Sequence, residues 1–413
     1  MKPLVVQKFG GTSVGNAERI KNVARRVKRT ADEGNRVVVA VSAMSGETDR
    51  LLKLCNDITP NLDPRECDQV VATGEQVTIG LLAMALKEIG QDAVSLLGSQ
   101  VPVVTDDAYM KARIQRIDGA KIFRELDQGR VVIVAGFQGV DAAGNVTTLG
   151  RGGSDTTGVA LAAALKADVC EIYTDVLGVY TTDPNIVPEA QLLPKMSYEE
   201  MLELASLGAK VLALRSVEFA AKYNVKVHVR STFSDAPGTI VCKEDAEMES
   251  AAVSGITYNK GESKILIKGV PDRPGIAAAI LGPIAKNNIV VDMIVQNIGA
   301  GGHTDFTFTV PKSDSKKAID IIEKIAKDLG AAGVETDTGI AKISIVGVGM
   351  KSHAGVATTM FETLAKEGIN IQMISTSEIK VSVVIADKYT ELAVRSLHSA
   401  FGLDKPRSDV AEA

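Results

Sequence analysis

The chain has 413 residues, 45% hydrophobic and 23% charged, more than one hydrophobic core serves and enough to build two or three domains; a small single module and a disordered chain are excluded. Its 46 basic and 51 acidic side chains give a net charge of −5, which leaves no cationic footprint for nucleic acid or an anionic membrane. No apolar run approaches the ~18 residues of a spanning helix, and MKPLVVQKFGG reaches glycine before a signal core develops, so a cytoplasmic location is expected.

From Pro3 to about Lys243, short apolar runs alternate with helical ones. Leu4 to Phe9, Arg36 to Met44, Arg130 to Phe137, Asp168 to Thr174 and Val225 to Ser231 are rich in Val and Ile and read as strands covered on both faces. Between the first two, Ile20, Val23 and Val27 mark an amphipathic helix ending near Gly34. Further helices are expected at Ser45 to Asp57, Gly80 to Ile89, Ser154 to Lys166 and Tyr198 to Tyr223. The pattern predicts an α/β/α sandwich on a mainly parallel sheet.

The acidic, small-residued stretch KEDAEMESAA, Lys243 to Ala252, marks a boundary. Beyond it ILIKGV from Ile265 recurs as ISIVGV from Ile343, and the helical run from Gly275 recurs from Gly355. Each copy reads strand, helix, strand, strand, helix, so two ferredoxin-like βαββαβ units are expected. The divisions are 1–245, a linker and start of the second region at 246–262, and repeats at 263–338 and 339–413.

The first strand runs into Lys8-Phe9-Gly10-Gly11-Thr12-Ser13. Paired glycines let backbone N–H groups approach an anion, with Lys8 as its cation; a tight turn beside a snorkelling lysine is the alternative. A second cluster, Gly150-Arg151-Gly152-Gly153-Ser154-Asp155, again leads glycines into a helix. Arg151 offers a planar fork for carboxylate or phosphate, while Ser154 and Asp155 read as N-cap residues. The chain has no Gly-Lys dipeptide and neither cluster is GxGxxG, so P-loop and Rossmann sites lose their support. The four cysteines and four histidines are scattered, and there is no Trp; buried reduced thiols are expected, with no metal centre and no base stacking.

KFGGTSV from Lys8, VSAMSGETD from Val41, ATGE from Ala72, AGFQG from Ala135, LGRGGSDTT from Leu149 and the Thr174 to Pro184 stretch together resemble the aspartate kinases of the amino-acid-kinase family, and the duplicated unit resembles their paired ACT domains. The resemblance implies ATP-dependent phosphorylation of the L-aspartate side-chain carboxylate, the committed step toward lysine, threonine and methionine, with Mg²⁺ as the ATP counter-ion. It implies nucleotide contacts at Lys8, Phe9, Gly10, Gly11, Ser42, Thr174, Asp175, Tyr180, Thr181, Thr182, Asp183, Pro184, Asn185, Lys210 and Val211; Asn185 stands where family members often carry arginine. Aspartate contacts are implied at Thr48, Glu75, Arg151, Gly152, Gly153 and Ser154, and catalytic roles for Lys8, Asp155 and Lys210.

A carboxylate nucleophile is ionised at neutral pH, with a reference pKa of about 3.9, so the reaction needs no general base, in keeping with the scarcity of histidine. What it needs is charge stabilisation on the phosphoryl group. In the first repeat the loop Asp272-Arg273-Pro274-Gly275-Ile276-Ala277 enters a helix N-terminus that can take an amino-acid carboxylate; a structural turn is the alternative. The resemblance implies effector contacts there, at Asp292, Gln296 and Asn297, and in the second copy at Val356, Asn370, Ile371, Ser377 and Glu378, with lysine and threonine as effectors. Self-association through the ACT units is expected, as a homo-oligomer or as an α2β2 heterotetramer whose regulatory subunit starts near Met248. Another acid or a carbamate as acceptor, and a non-catalytic amino-acid sensor, are the competing readings.

Overall fold

The computed structural model describes residues 2–206, 211–245, 248, 252–297 and 299–405. The chain divides into two units: Met1–Tyr180 with Leu192–Met248, and Thr181–Gln191 with Glu249–Ala413.

In the first unit β1 (Leu4–Phe9), α1 (Ala17–Asp32) and β2 (Arg36–Val41) form the expected βαβ start. There follow α2 (Glu47–Ile58), α3 (Pro64–Val71), α4 (Thr73–Glu88), β3 (Ala93–Leu96), β4 (Val103–Thr105), β5 (Ile114–Ile117), α5 (Ala120–Asp127), β6 (Val131–Ala135), β7 (Gln138–Val140) and β8 (Val146–Thr148). The unit continues through α6 (Gly153–Leu165), β9 (Val169–Thr174), β10 (Lys195–Ser197), α7 (Tyr198–Ser206), α8 (Leu214–Tyr223), β11 (Val227–Ser231) and β12 (Thr239–Cys242).

The main sheet runs β10-β12-β11-β9-β1-β2-β6-β3. β9, β1, β2, β6 and β3 are parallel, and direction reverses only between β11 and β12. On one face Ile20, Val23 and Val27 of α1 and Ile79, Leu82 and Leu86 of α4 pack on Phe9, Val39, Val41 and Ile133; each such buried side chain contributes roughly 1.5–3 kcal/mol. On the other face α6 lies so close to β1 that a Cβ on Gly158 would stand 3.0 Å from the Lys8 Cβ.

Two expectations need correction. The helix expected over Tyr198 to Tyr223 is two: α7 stops at Ser206 and α8 starts at Leu214 after extended Ala213 (φ −69°, ψ 132°). The expected caps Ser154 and Asp155 do not cap α6; its N-cap is Gly152, left-handed at φ 71°, which leaves Asp155 free to pair elsewhere. Residues 64–88, of which the sequence expectation covered only the part from Gly80, are long and apolar enough by composition alone to cross a membrane, but half of their most apolar window is buried in the fold.

In the second unit β13 (Gly255–Asn259) precedes β14 (Glu262–Pro271), α9 (Ile276–Lys286), β15 (Ile294–Gln296), β16 (His303–Pro311), α10 (Ser315–Asp328) and β17 (Gly333–Asp337). The second copy is β18 (Ile340–Val346), α11 (Val356–Lys366), β19 (Met373–Thr376), β20 (Lys380–Ala386) and α12 (Thr390–Ala400). The first copy is βαββαβ with sheet order β15-β16-β14-β17, closed over Ile265, Ile280, Phe306, Phe308 and Ile322.

The second sheet runs β13-β18-β20-β19. Its edge strand β13 comes from the segment expected to be a linker, with Gly255 opposite Val346 and Asn259 opposite Lys342. No described strand follows α12, so the free edge of β18 is covered by the alternating stretch ahead of the first copy. The first repeat is thus inserted into the second. Thr181–Gln191 also belongs to this unit: Thr181 O accepts from Ile256 N at 2.7 Å, Tyr258 donates to Asp183 at 3.1 Å, and Arg395 Nε donates to Ile186 O at 2.9 Å.

Candidate active site

The chain leaves β1 toward β2 and β6 on one side and returns through β9 on the other, so the sheet order reverses beside β1. In open α/β sheets the crevice outside the carboxyl ends of strands at such a point is where ligands bind. Gly10 and Gly11 follow β1, Ser42 follows β2, Phe137 lies just past β6, and Thr174 ends β9. A Cβ on Gly11 would stand 3.0 Å from Ala43 O, so glycine there keeps the two strand ends close.

A cavity of about 380 Å³ opens at this point. Lys8, Ser42, Thr48, Glu75, Arg151, Gly152, Gly153, Ser154 and Asp155, drawn from segments far apart in the chain, all line it. Lys8 is 8% exposed, and its ammonium lies 2.5 Å from Asp155 Oδ1 in the first turn of α6. Glu75, in the first turn of α4, is 2% exposed. Its Oε1 accepts from Ala43 N at 2.9 Å, while Oε2 has no partner among the described residues. Burial pushes its carboxyl up to about 7, with the Ala43 N–H pulling the other way. Arg151 is exposed, with no side-chain hydrogen bond or ion pair to the described residues. The cavity therefore joins a paired lysine, a buried carboxylate with one free oxygen and an open guanidinium, an arrangement suited to a small zwitterionic acid and an anionic donor.

The other expected nucleotide residues are placed differently. Phe9 is fully buried and stacks on Tyr173 at 4.6 Å, so only its backbone is available at the strand end. Thr174 donates to Asp175, which is exposed. Tyr180 pairs with Leu192 where the chain leaves the first unit and returns to it. Thr181 and Thr182 are buried in the second unit, Thr181 on His398 Nε2 at 2.9 Å. Asp183 accepts from the exposed Asn185, and Pro184 is also exposed. Val211 is half-buried; Lys210 lies outside the described residues.

The amino acid kinase family matches residues 3–231, and ACT domains match 264–327 and 343–401. The aspartate kinase Ask_LysC of Stutzerimonas stutzeri is 61% identical over 99% of this chain and 100% of its own. The chain belongs to the aspartate kinase family. E. coli aspartokinase III, solved in complex with aspartate and ADP, is 26% identical with a TM-score of 0.79 over 96% of this chain and 99% of its own. The same enzyme solved with lysine and aspartate has a TM-score of 0.77 at 26% identity, covering 97% and 99%.

In this aspartate kinase the cavity has wall residues that motif reading missed: Asp68, Cys67, Val71, Met110, Phe137 and Thr148. Phe137 lies within the AGFQG stretch without having been given a role, and its positive φ of 66° turns the chain at the crevice. Asp68 and Cys67 look like ordinary members of an amphipathic helix, and nothing local marks them.

The expected effector residues are dispersed over the second unit. Gly275 caps α9 at φ 93°, with Asp272, Arg273, Pro274 and Ala277 exposed and Ile276 buried. Asp292 is exposed and pairs with Lys342, which also pairs with Glu262 at 3.0 Å. Among the expected residues only Asn297 lines the shallow hollow of about 430 Å³ formed with Gly269, His303 and Asp305. Gln296, Asn370, Ser377 and Glu378 are exposed, and Val356 and Ile371 are half-buried.

Proposed function

We propose that the enzyme transfers the γ-phosphoryl group of ATP to the side-chain carboxylate of L-aspartate, giving 4-phospho-L-aspartate and ADP. The reading rests on the convergence of Lys8, Glu75, Arg151 and Asp155 on one cavity at the switch point of the sheet. Arg151 takes the α-carboxylate of aspartate and the free oxygen of Glu75 takes its ammonium, with Thr48 and Gly152 to Ser154 completing the contacts. Gly10, Gly11, Ser42, Thr174, Asp175, Tyr180 and Thr181 to Asn185 serve the nucleotide. The side-chain carboxylate attacks without a general base, so catalysis is alignment and charge neutralisation. Lys8, held by Asp155, supplies a cation, and by motif Lys210 supplies a second. Mg²⁺ would enter with the nucleotide, on its phosphates, as Mg²⁺ commonly does in kinases.

The step feeds lysine, threonine and methionine formation in the cytoplasm, and lysine with threonine inhibits it through the ACT units. The aspartokinase III solved with lysine supports an amino-acid effector. Self-association is supported by the edge strands β15 and β19, which sit at equivalent places in the two ACT sheets and expose Ile294 and Ile374. Hydroxylamine trapping of acyl phosphate across a panel of acids tests the reaction. L-aspartate is expected to give the strongest signal, reduced by lysine and threonine; an equal signal from acids lacking the α-amino group overturns the assignment of Glu75.

A further inference from the structure

Asp68 in the cavity lining and the half-buried Arg215 have no task in the chemistry above, yet they grip the two segments that form the cavity wall. Asp68 of α3 is 1% exposed. It accepts from Met110 N at 3.0 Å, from Thr148 N at 2.8 Å and from the Thr148 hydroxyl at 2.6 Å. One and two residues further along the same segments, Arg215 of α8 donates to Leu149 O at 2.6 Å and to Ala112 O at 2.9 Å. Ala112 N donates to Thr148 O at 2.9 Å, closing the seam between them. An anion gathers the N–H groups and a cation gathers the C=O groups.

From this arrangement we propose that Asp68 and Arg215 are positioning residues that hold Met110 and the Gly150–Ser154 loop in the geometry that receives the substrate's α-carboxylate. The inference rests on the reading above that Arg151 binds that carboxylate. At the front of the loop Arg151 and Gly152 are exposed, and Gly150 and Gly152 have φ of 75° and 71°, while Leu149 N donates to Phe137 O at 2.9 Å and Gly153 N to Gly150 O at 2.9 Å. Met110 is itself left-handed at φ 65°, a strained state for a non-glycine residue, and its N–H is one of the groups Asp68 binds. Gly150 passes Met110 so closely that a Cβ would stand 3.0 Å from Met110 O. Displacing either segment therefore displaces the other. Asparagine at position 68 would turn an amide donor toward an N–H donor, and lysine at 215 cannot bridge two carbonyls with a planar fork.

Asp68→Asn, Arg215→Lys and Arg151→Ala in the full chain are compared by steady-state kinetics in both substrates and by thermal melting. The two positioning variants are expected to raise the aspartate KM about tenfold or more while the ATP KM stays within about twofold. A melting loss with unchanged aspartate KM, or equal increases in both KM values, overturns the proposal. If Arg151→Ala leaves the aspartate KM unchanged, the substrate reading falls and the proposal with it; if Arg151→Ala raises it and the other two do not, the proposal alone falls. Should Asp68→Asn fail to fold, Thr148→Val, which removes one of the bonds, is expected to raise the aspartate KM by about two- to tenfold, and an unchanged value counts against the proposal.

Discussion

Lys8 and Asp155 face each other at 10% and 13% side-chain exposure, so removing one strands the other in a poorly solvated site at a cost of about 3–5 kcal/mol. Lys8→Met is therefore expected to lose both stability and activity, whereas the double variant with Asp155→Asn recovers most of the stability in urea melts and none of the turnover. Recovery of turnover in the double variant would remove Lys8 from the chemistry. Glu75 carries a pH signature. Its carboxyl stands at about 7 in the fold against an ordinary 4.5, so as pH rises through that interval the unfolded chain ionises first and stability falls, by ~3 kcal/mol in all. Below the interval both states are protonated, and above it the loss is complete. On the proposed role of the ionised form in taking the substrate ammonium, the aspartate KM is expected to fall as pH rises through about 7. Glu75→Gln should flatten both profiles and leave the KM high; an unchanged pH profile in that variant assigns the titration elsewhere. Lys8, Glu75 and Arg151 were legible because short motifs carry them. Asp68 was not, because its partners Met110 and Thr148 lie 42 and 80 residues away and are bound through their backbone N–H groups and one hydroxyl.

Among elements, β1, α1 and β9 follow from local periodicity alone. α4 starts at Thr73 rather than at Gly80; Gly74 in its first turn serves a close approach, its Cβ position standing 2.8 Å from Ala43 Cβ. The apolar spacing runs on between Tyr198 and Tyr223, which hides the break before α8; only the fold shows that Ala213 is extended and packs against Gly152. A Cβ on Gly152 would stand 2.2 Å from Ala213 Cβ at a left-handed φ. Gly152→Ala is therefore expected to cost about 1–3 kcal/mol and to raise the aspartate KM, read by thermal melting beside kinetics; a neutral result would show that the loop relocates freely.

At the scale of the whole molecule, the repeat suggests a regulatory half that can be separated after about residue 245, but the contacts draw the division elsewhere. Thr181–Gln191, which contains part of the nucleotide motif, belongs to the ACT-bearing unit. Truncation after Asp245 removes Ile256, Tyr258, Arg395 and His398, the partners of that segment. The truncated chain is expected to lose ATP affinity along with any feedback inhibition, and kinetics matching the full chain would show that the segment holds its form alone. Tyr258→Phe, which deletes the hydroxyl bond to Asp183, is expected to raise the ATP KM by about two- to tenfold and leave the aspartate KM unchanged. The sequence by itself determined the α/β class, the duplication and the motif residues at the strand ends, because periodicity and glycine-rich turns are local patterns that short stretches carry. The tertiary structure alone decided that β13 completes the second repeat, that Thr181–Gln191 joins the other unit, and that Asp68 and Arg215 hold the cavity wall. Each of these satisfies backbone groups or strand edges with partners distant in the chain, and such pairings are selected by burial and hydrogen bonding in the folded state.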